Sequence, residues 1–253
     1  MLSFHHWYGT WTKLVDSYIA LSEFSRAKFI AAGLPAAKIV VKPNFVLPDP
    51  GVGAQSRDYA VFVGRLSEEK GLRTLVQAWC RVNPKYLLRV IGDGPLLNDL
   101  RSEISRSVLS NVRVDGRLPR DESLKVVQGA RVLIAPSNCY ENFPMTIVEA
   151  YACGTPVIAS RLGAMQEIVE DGRTGLHFTA GDPDDLATKV EWAWSHPDEL
   201  REMGRNARAE HEAKYTAERN YNMLMEVYDQ VIQKERKPLT YHEQKAWVTS
   251  FEE

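Results

Sequence analysis

The sequence has few cysteines and no excess of either charge. Of its 253 residues, three are cysteines (Cys80, Cys139 and Cys153), and no two of them are spaced as Cys-x-x-Cys. This argues against a disulfide framework and a zinc ribbon, and it favours a reducing compartment. The formal net charge is -2. A nucleic acid partner is therefore not expected, because binding to the phosphate backbone normally requires a basic excess.

Long apolar segments are also missing. No run of about 18 apolar residues occurs, and the start contains His5, His6, Trp7 and Tyr8 where a signal peptide would need an uninterrupted apolar stretch. The composition, 44% apolar and 25% charged, is that of a globular chain. The sequence predicts a soluble, cytoplasmic protein, and it leaves a peripheral contact with a membrane open.

Several standard catalytic and metal-binding motifs are absent. There is no Gly-x-Ser-x-Gly, no His-Glu-x-x-His and no Walker loop. Asp182 and Asp184 resemble a metal-binding Asp-x-Asp pair, but Pro183 directly after Asp182 is typical of a capped helix start. We therefore expect no metal site.

Short apolar runs alternate with amphipathic segments from Tyr59 onward. The helix after the first run, for example, has apolar residues at i, i+3, i+4 and i+7 from Leu72 to Trp79. Apolar strands separated by helices are typical of a parallel sheet covered on both faces. We predict a doubly wound, Rossmann-like α/β domain. The predicted strands are 59–63, 86–91, 112–115, 132–135, 156–159 and 175–178.

The chain divides into three parts. Residues 1–50 contain two short predicted strands, 17–21 and 38–41, around a helix capped by Ser22, followed by a proline-rich stretch that resembles a linker. Two short strands and one helix are too few to form a core of their own. They must therefore pack on the main domain or on a partner. Residues 51–235 form the Rossmann-like domain, whose C-terminal helices start near 182, 197 and 216. Residues 236–253 form a polar tail.

The segment from Ser137 to Gly154 carries the most informative polar residues. Pro144 is well placed to start a helix that is otherwise apolar nearly all round and is therefore buried. Its two polar residues, Thr146 and Glu149, are three apart and share one face. Glu149 needs partners, either as a structural carboxylate or as a ligand-binding group. Glu141 lies after a parallel strand, where doubly wound folds bind ligands.

A second motif follows the first predicted strand of the domain. Gly64 permits close approach of the backbone, while Arg65 and Lys70 supply two cations at the carboxyl edge of the sheet. Such cations suit a diphosphate. The alternative is a solvated surface cluster in which they pair with Glu68 and Glu69. Both interpretations stay open at this point.

A third motif, Gly92-Asp93-Gly94-Pro95, shows the first two glycines of a dinucleotide fingerprint. Leu97 stands where the third glycine belongs, and no convincing acidic partner for a ribose follows about 20 residues later. We therefore expect a tight turn between strand and helix at this position.

Together these motifs resemble the retaining glycosyltransferases of family four, which have the two-domain GT-B architecture. The matching elements are Glu141-x7-Glu149, Gly64-Arg65-x4-Lys70-Gly71, Gly92-Asp93-Gly94-Pro95 and Gly154-Thr155-Pro156-Val157-Ile158-Ala159. The resemblance runs from about Val15 to Ile232 and implies the C-terminal, donor-binding half of that architecture. It also implies transfer of a sugar from a nucleotide-diphosphate sugar, with retention and without a required metal or other cofactor.

The resemblance assigns roles by position. Arg65 and Lys70 would hold the diphosphate and stabilise the charge of the leaving group. Glu149 would bind the ribose hydroxyls, Glu141 the donor sugar, and the Gly116 to Leu118 loop would lie near the base. The implied catalytic residues are Arg65, Lys70 and Glu141. The implied binding residues are Gly64, Arg65, Lys70, Gly116, Arg117, Leu118, Asn142, Phe143, Met145, Thr146 and Glu149.

Two features depart from the family pattern. Pro144 stands where many relatives have glycine, and its missing N–H removes one donor from the amides after Asn142 that would surround sugar and phosphate. Residues 1–50 match only a remnant of the N-terminal, acceptor-binding domain. A donor on one wall of an open crevice is neither oriented nor shielded, so we expect weak transfer or none by this chain alone.

The missing half leaves partners and alternatives open. The acceptor could be a glycan, a lipid-linked glycan or a small molecule, and a separate chain could carry the N-terminal domain. Exposed Trp7, Tyr8 and Trp11 would mark a surface for it. A nucleotide-sugar epimerase would process the donor without an acceptor, and a non-catalytic nucleotide-sugar-binding subunit would bind it without turnover. An NAD oxidoreductase is the third alternative.

Overall fold

The computed structural model describes residues 9–53, 58–106 and 109–236. The first of these ranges forms an N-terminal region around a parallel pair of short strands. Its elements are helix α1 (Thr10–Lys13), strand β1 (Tyr18–Ala20), helix α2 (Glu23–Ala31), a 3-10 turn (Ala36–Lys38) and strand β2 (Ile39–Val41).

The main domain is built on a parallel sheet of six strands with the order β5-β4-β3-β6-β7-β8. This is the strand order of the doubly wound Rossmann fold, so the predicted fold class is confirmed. The strands are β3 (Tyr59–Val63), β4 (Leu87–Ile91), β5 (Val112–Gly116), β6 (Val132–Ala135), β7 (Val157–Ser160) and β8 (Gly175–Phe178).

Two strands begin one residue later than predicted. Tyr86 is left out of β4 because its carbonyl accepts hydrogen bonds from two side chains, those of Trp79 and Asn111, at 3.0 and 3.1 Å. Pro156 is left out of β7, and a proline has no N–H to donate to a sheet ladder. Its carbonyl still accepts from the amide of Leu133 at 3.0 Å.

Helices cover both faces of the sheet, as the apolar strands predict. Alternate residues of β3 enter two different cores: Ala60 and Phe62 pack with Trp79 on one face, and Val61 packs with Tyr151 on the other. The helices are α3 (Leu72–Trp79), α4 (Leu97–Arg106), α5 (Arg120–Gly129), α6 (Met145–Ala152), α7 (Gly163–Ile168), α8 (Pro183–Ser195), α9 (Pro197–Lys214) and α10 (Ala217–Arg236). None of the helices in the described part of the chain is long and apolar enough to cross a bilayer.

Helix starts follow the predicted capping residues. The Asp182 carboxylate accepts from the amides of Asp184 and Asp185 at 2.9 and 3.1 Å, with Pro183 in the first turn of α8. Asp182 is thus a helix cap, as expected. The hydroxyl of Ser22 caps α2 by accepting from the amide of Ser25.

The N-terminal region packs on the main domain. The Glu167 carboxylate of α7 accepts from the first two amides of α2, at 2.9 and 2.8 Å. Asn220 of α10 accepts from the Lys42 ammonium at 3.0 Å and donates to the carbonyl of Pro43 at 2.6 Å. Trp11 is 45% exposed, while Trp7 and Tyr8 lie outside the described residues. The assignment of residues 1–50 to a remnant of an acceptor domain stays a prediction. Residues 237–253 of the predicted tail lie outside the described residues.

Arg208 fastens the proline-rich stretch to the main domain. Its guanidinium donates to both carboxylate oxygens of Asp49 at 2.7 Å, to the carbonyl of Ala152 at 2.6 Å and to Glu212 at 2.7 Å. The hydrogen bonds from Arg208 to Asp49 lower the pKa of Asp49 to about 2, below the usual range for aspartate. One arginine thereby joins the linker, α6 and α9.

The first prediction concerns the acid stability of this ion pair. Because the folded pKa of Asp49 is lowered, its contribution to stability is complete above the unfolded pKa of about 4 and is lost as the pH falls through about 2. We expect Asp49→Asn to lower the free energy of unfolding at neutral pH and to flatten its decline between these two pH values. Urea unfolding at a series of pH values measures both.

A matched control is Asp198→Asn, which removes the exposed partner of Arg201 on α9. It should leave the pH dependence of stability in this range close to that of the unsubstituted protein. An acid decline as steep in Asp49→Asn as in the unsubstituted protein would contradict the prediction.

Candidate functional site

The strand order reverses between β3 and β6. In doubly wound folds the crevice at the carboxyl ends of such a pair of strands is the usual place for a ligand. The loop after β3 carries Arg65 and Lys70, and the loop after β6 carries Glu141. The residues predicted to be catalytic therefore meet at the reversal.

The loops at this edge are packed backbone against backbone. A Cβ atom on Gly71, which has a φ of 70°, would lie 1.8 Å from the carbonyl oxygen of Pro136, and one on Gly92 would lie 1.8 Å from that of Gly64. The amide of Leu66 donates to the carbonyl of Asp93 at 2.9 Å. The Gly92 to Pro95 segment is a tight turn leading to α4, as expected.

A cavity of about 820 Å³ opens beside these loops. Three arginines and two carboxylates line it, which favours an anionic ligand that also carries hydroxyl groups. Six of the predicted binding residues lie in its wall. They are Gly64, Arg65, Arg117, Leu118, Thr146 and Glu149.

Arg65 stands at this cavity as an available cation. Its side chain is exposed and forms no hydrogen bond or ion pair with the other residues that the structure describes. The alternative surface cluster is not formed, because Glu68 pairs with Arg73 at 2.7 Å and Glu69 accepts from the Ser67 hydroxyl at 2.7 Å. The donors of the Arg65 guanidinium are thus open to a ligand.

Lys70 and Glu141 form an ion pair at the reversal of strand order, and neither residue lines the cavity. The ammonium nitrogen of Lys70 lies 2.6 Å from Oε1 of Glu141, which also accepts from the Ser137 hydroxyl at 2.6 Å. The side chains are 30% and 15% exposed. The pair therefore joins the loops after β3 and β6 while leaving two of the three ammonium donors of Lys70 available.

Glu149 is half-buried and paired with Arg120, which the sequence analysis did not identify. Nε of Arg120 donates to Oε1 of Glu149 at 3.0 Å, and Nη1 donates to the carbonyl of Leu47 at 3.0 Å. Arg120 is the first residue of α5, where the helix macrodipole disfavours a cation. This misplaced charge was the signal that could have identified it.

The remaining predicted residues lie outside the cavity wall. Asn142 accepts from the Ser25 hydroxyl at 3.1 Å, and Phe143 packs edge-on against Tyr215. Met145 packs against the core below, and the carbonyl of Gly116 accepts from the amide of Gly92. Their predicted contacts with a ligand therefore have no support from the cavity, and they stay predictions.

Pro144 corrects one detail of the sequence analysis. It precedes α6 instead of forming its first residue, because its ψ of 91° is extended, and the helix starts at Met145. The carbonyl of Pro144 still accepts from the amide of Ile147 at 3.0 Å. In the first turn of α6 the amide of Ile147 thus has an acceptor, whereas the amides of Met145 and Thr146 precede this first hydrogen bond.

Neither thiols nor a metal cluster add to this site. Burial raises the pKa of Cys153 to about 12, and burial together with the charge of Glu141 raises the pKa of Cys139. A thiolate nucleophile is therefore disfavoured at neutral pH. Within residues 9–53, 58–106 and 109–236, no three His, Cys, Asp or Glu side chains are grouped as metal ligands. Metal independence stays a prediction.

Comparison with known proteins identifies a sequence family. Residues 51–210, more than half of the chain, match the family described as glycosyl transferases group 1. An uncharacterised glycosyltransferase of Methanocaldococcus jannaschii is 30% identical over 174 residues, 69% of this chain and 48% of that protein. The alpha-maltose-1-phosphate synthase of Mycolicibacterium smegmatis is 35% identical over 172 residues, 63% of this chain and 44% of that protein. The chain thus spans less than half the length of these relatives.

Solved structures share the fold. HepE of Anabaena, crystallised in complex with UDP, superposes with a TM-score of 0.79 at 23% identity, covering 85% of this chain and 64% of that one. A glycosyltransferase of Rickettsia africae superposes with a TM-score of 0.80 at 18% identity, covering 91% and 67%. At these identities the likeness establishes the fold alone.

The second prediction concerns the Lys70–Glu141 pair. Because both side chains are largely shielded from water, we expect a double-mutant cycle of Lys70→Ala and Glu141→Ala to give a coupling free energy of about 1 to 2 kcal/mol in urea unfolding. The exposed Arg73–Glu68 pair is the matched control. Its coupling free energy should be smaller, and added salt should reduce it more. Equal coupling and equal salt dependence in the two pairs would contradict this.

Proposed function

The chain belongs to the glycosyl transferases group 1 family, and on this premise we propose that its cavity binds a nucleotide-diphosphate sugar as the donor of a glycosyl group. The observation that carries the proposal is a cavity at the reversal of strand order, with the unpaired Arg65 on one side and Glu149 on another. Its volume, about 820 Å³, is within the usual range for small-molecule sites. The complex of HepE with UDP is consistent with such a ligand.

The diphosphate is assigned to the loop after β3. Arg65 offers a planar set of donors that can bind phosphate oxygens in pairs, and Lys70 adds a compact second charge. Lys70 can serve the diphosphate while keeping Glu141, since an ammonium has three donors. Glu141 would then accept a hydrogen bond from a hydroxyl of the donor sugar, which follows the diphosphate along the ligand.

The nucleoside is assigned to the opposite part of the cavity. Glu149 can accept from the ribose hydroxyls, and Thr146, one turn before it on the same face of α6, adds a hydroxyl. The base would lie against Leu118, with the neighbouring Gly116 and Arg117 shaping that end. The order of diphosphate, ribose and base then follows the cavity from β3 towards β5.

In the proposed reaction the sugar is transferred with retention and without a metal. The bond between the anomeric carbon and the diphosphate oxygen breaks, and the nucleoside diphosphate leaves with the electron pair. The acceptor hydroxyl oxygen forms the new bond, and its proton passes to the departing diphosphate. Arg65 and Lys70 stabilise the negative charge that develops on that group, which is the largest electrostatic demand of the step.

The proposal also covers the acceptor and the cellular location. An open cavity neither orients an acceptor nor excludes water, so transfer by this chain alone is expected to be weak unless the other half of a two-domain enzyme closes over it. A separate chain could supply that half. The acceptor would be a glycan, a lipid-linked glycan or a small molecule, and the setting would be cytoplasmic, with peripheral contact to a membrane as an option.

The third prediction tests the donor site. We expect calorimetric titration with UDP, GDP and ADP to show saturable binding of at least one nucleotide. Arg65→Ala and Glu149→Ala should each weaken it about tenfold or more, since each removes hydrogen bonds to or from a charged group. Arg81→Ala is the matched control, because Arg81 pairs with Asp184 away from the cavity.

The outcomes separate the alternatives. Failure of the folded protein to bind any of the three nucleotides would contradict the proposal. Conversion of the donor to another sugar in the absence of acceptor would indicate an epimerase, and binding without turnover in the presence of a closing partner and acceptors would indicate a non-catalytic subunit. Stabilisation by NAD in place of these nucleotides would indicate an oxidoreductase.

The fourth prediction concerns Arg120. Because Arg120 fixes one oxygen of Glu149, we expect Arg120→Ala to weaken binding of the tightest nucleotide about threefold to tenfold by leaving the carboxylate less well positioned. The loss should vanish in the Glu149→Ala background, which calorimetry on the two single variants and the double variant can measure. An equal loss in both backgrounds would mean that Arg120 acts on the ligand directly.

A further inference from the structure

A second cavity, of about 500 Å³, opens at the same edge of the sheet, beyond the ends of β6 and β7. It is separate from the first cavity and shares none of its lining residues. Tyr140 comes to it from the loop after β6, Arg161 and Gln166 come from the segment after β7, and Phe24 comes from α2 of the N-terminal region.

One wall of this cavity is aromatic. Tyr140 is 59% exposed, and its ring centroid lies 4.8 Å from that of Phe24. The Lys28 ammonium lies 5.0 and 5.3 Å from the two centroids and holds the rings together from one side. Gly163 leaves room for them, because a Cβ atom there would lie 3.0 Å from the Tyr140 ring. The two rings, tilted by 51° to each other, are called the aromatic platform below, and Tyr140 is its exposed part.

The other wall carries hydrogen-bonding groups. The Gln166 amide has no hydrogen bond to other described residues, and Arg161 reaches Asp171 only at 3.5 Å. Glu167 uses both carboxylate oxygens to fix the start of α2, which places Phe24 over the cavity. A planar amide and a guanidinium thus line the same cavity as the aromatic platform.

This combination suits a saccharide. A pyranose ring has a face of C–H groups that can cover an aromatic ring and a rim of hydroxyls that need donors and acceptors in its plane. A purely apolar ligand would leave the side-chain amide of Gln166 without a partner, and a purely ionic ligand would not cover the ring of Tyr140. The cavity also has the size of a small-ligand site.

The position of the cavity indicates which substrate would supply this saccharide. Tyr140 directly precedes Glu141, so their Cα atoms are about 3.8 Å apart, and Glu141 is held by Lys70 at the reversal of strand order. The ends of β3 and β7 are two strand spacings apart, about 10 Å. A ring on Tyr140 would therefore lie one sugar unit beyond the proposed position of the donor sugar.

We propose that the cavity formed by Phe24, Tyr140, Arg161 and Gln166 is a saccharide-binding subsite, and that it holds a sugar unit of the acceptor. The second part rests on the proposed function. The acceptor is thereby specified as a molecule with a glycosyl unit, in contrast to an acceptor without sugar.

Saturation-transfer NMR on the full chain tests the subsite, with methyl α-glucopyranoside, methyl α-mannopyranoside and methyl α-galactopyranoside as probes. We expect transfer to at least one probe, strongest on the protons of one ring face. Tyr140→Ala and Gln166→Ala should each reduce it about fivefold, whereas Tyr140→Phe should retain it because the ring remains. Tyr228→Ala, which removes another exposed tyrosine on α10, is the matched control and should leave the transfer unchanged.

A second titration separates this proposal from the nucleotide site. Saturating UDP should leave the saccharide signal in place, and Tyr140→Ala should leave the nucleotide affinity unchanged. Signals abolished by UDP, absent for all three probes or insensitive to Tyr140→Ala would overturn the subsite. A signal that depends on Tyr140 in a protein that binds no nucleotide would support the subsite and overturn its role in binding an acceptor.

Discussion

The contact between the loops that follow β3 and β6 is the constraint on which the site depends. Gly71 approaches the carbonyl of Pro136 so closely that a Cβ atom would lie 1.8 Å from its oxygen, and the amide of Asn138 donates to the carbonyl of Glu69 at 2.9 Å. These backbone contacts bring Lys70 to Glu141 across the reversal of strand order. A larger residue at 71 would have to separate the loops, and with them the ion pair.

The charged side chains at this edge of the sheet differ in their exposure to solvent and in whether they form ion pairs. The exposed Arg65 remains solvated, so leaving it unpaired costs little free energy of folding, and a ligand can take the place of water. Glu149 is largely shielded, and a carboxylate in such a position needs a partner, which Arg120 supplies. Lys70 and Glu141 compensate one another in the same way. The structure thus leaves the Arg65 guanidinium available at the cavity and fixes the shielded carboxylate of Glu149.

The sequence predicted most of the fold, because strands buried on both faces and capped helices leave strong local patterns. The apolar runs from 59 to 178 located every strand of the main sheet to within one residue at each end, and Asp182 marked the start of α8. Thr146 and Glu149 were placed on one face by their spacing, and both line the cavity. The family inferred from the motifs is confirmed by the match over residues 51–210.

What the sequence did not predict depends on distant parts of the chain. Arg120 and Glu149 are 29 residues apart, and their pairing follows from the packing of α5 beside α6. The platform of Tyr140 and Phe24 joins the N-terminal region to the loop after β6, a contact fixed by the capping of α2 by Glu167. Local periodicity carries no information about such contacts, since it reports only which face of an element is buried.

The order of the strands also determines the order of the two cavities and the ion pair along the edge of the sheet. The first cavity collects the loops after β5, β4 and β3, the Lys70–Glu141 pair lies at the junction of β3 and β6, and the second cavity lies after β6 and β7. Since neighbouring parallel strands are about 4.8 Å apart, each step along this edge is about the length of one sugar or phosphate unit. In the proposed complex, a donor that extends from base through ribose and diphosphate to a sugar would therefore follow the edge in a single direction. An acceptor sugar would meet it at the far end, where the N-terminal region supplies Phe24.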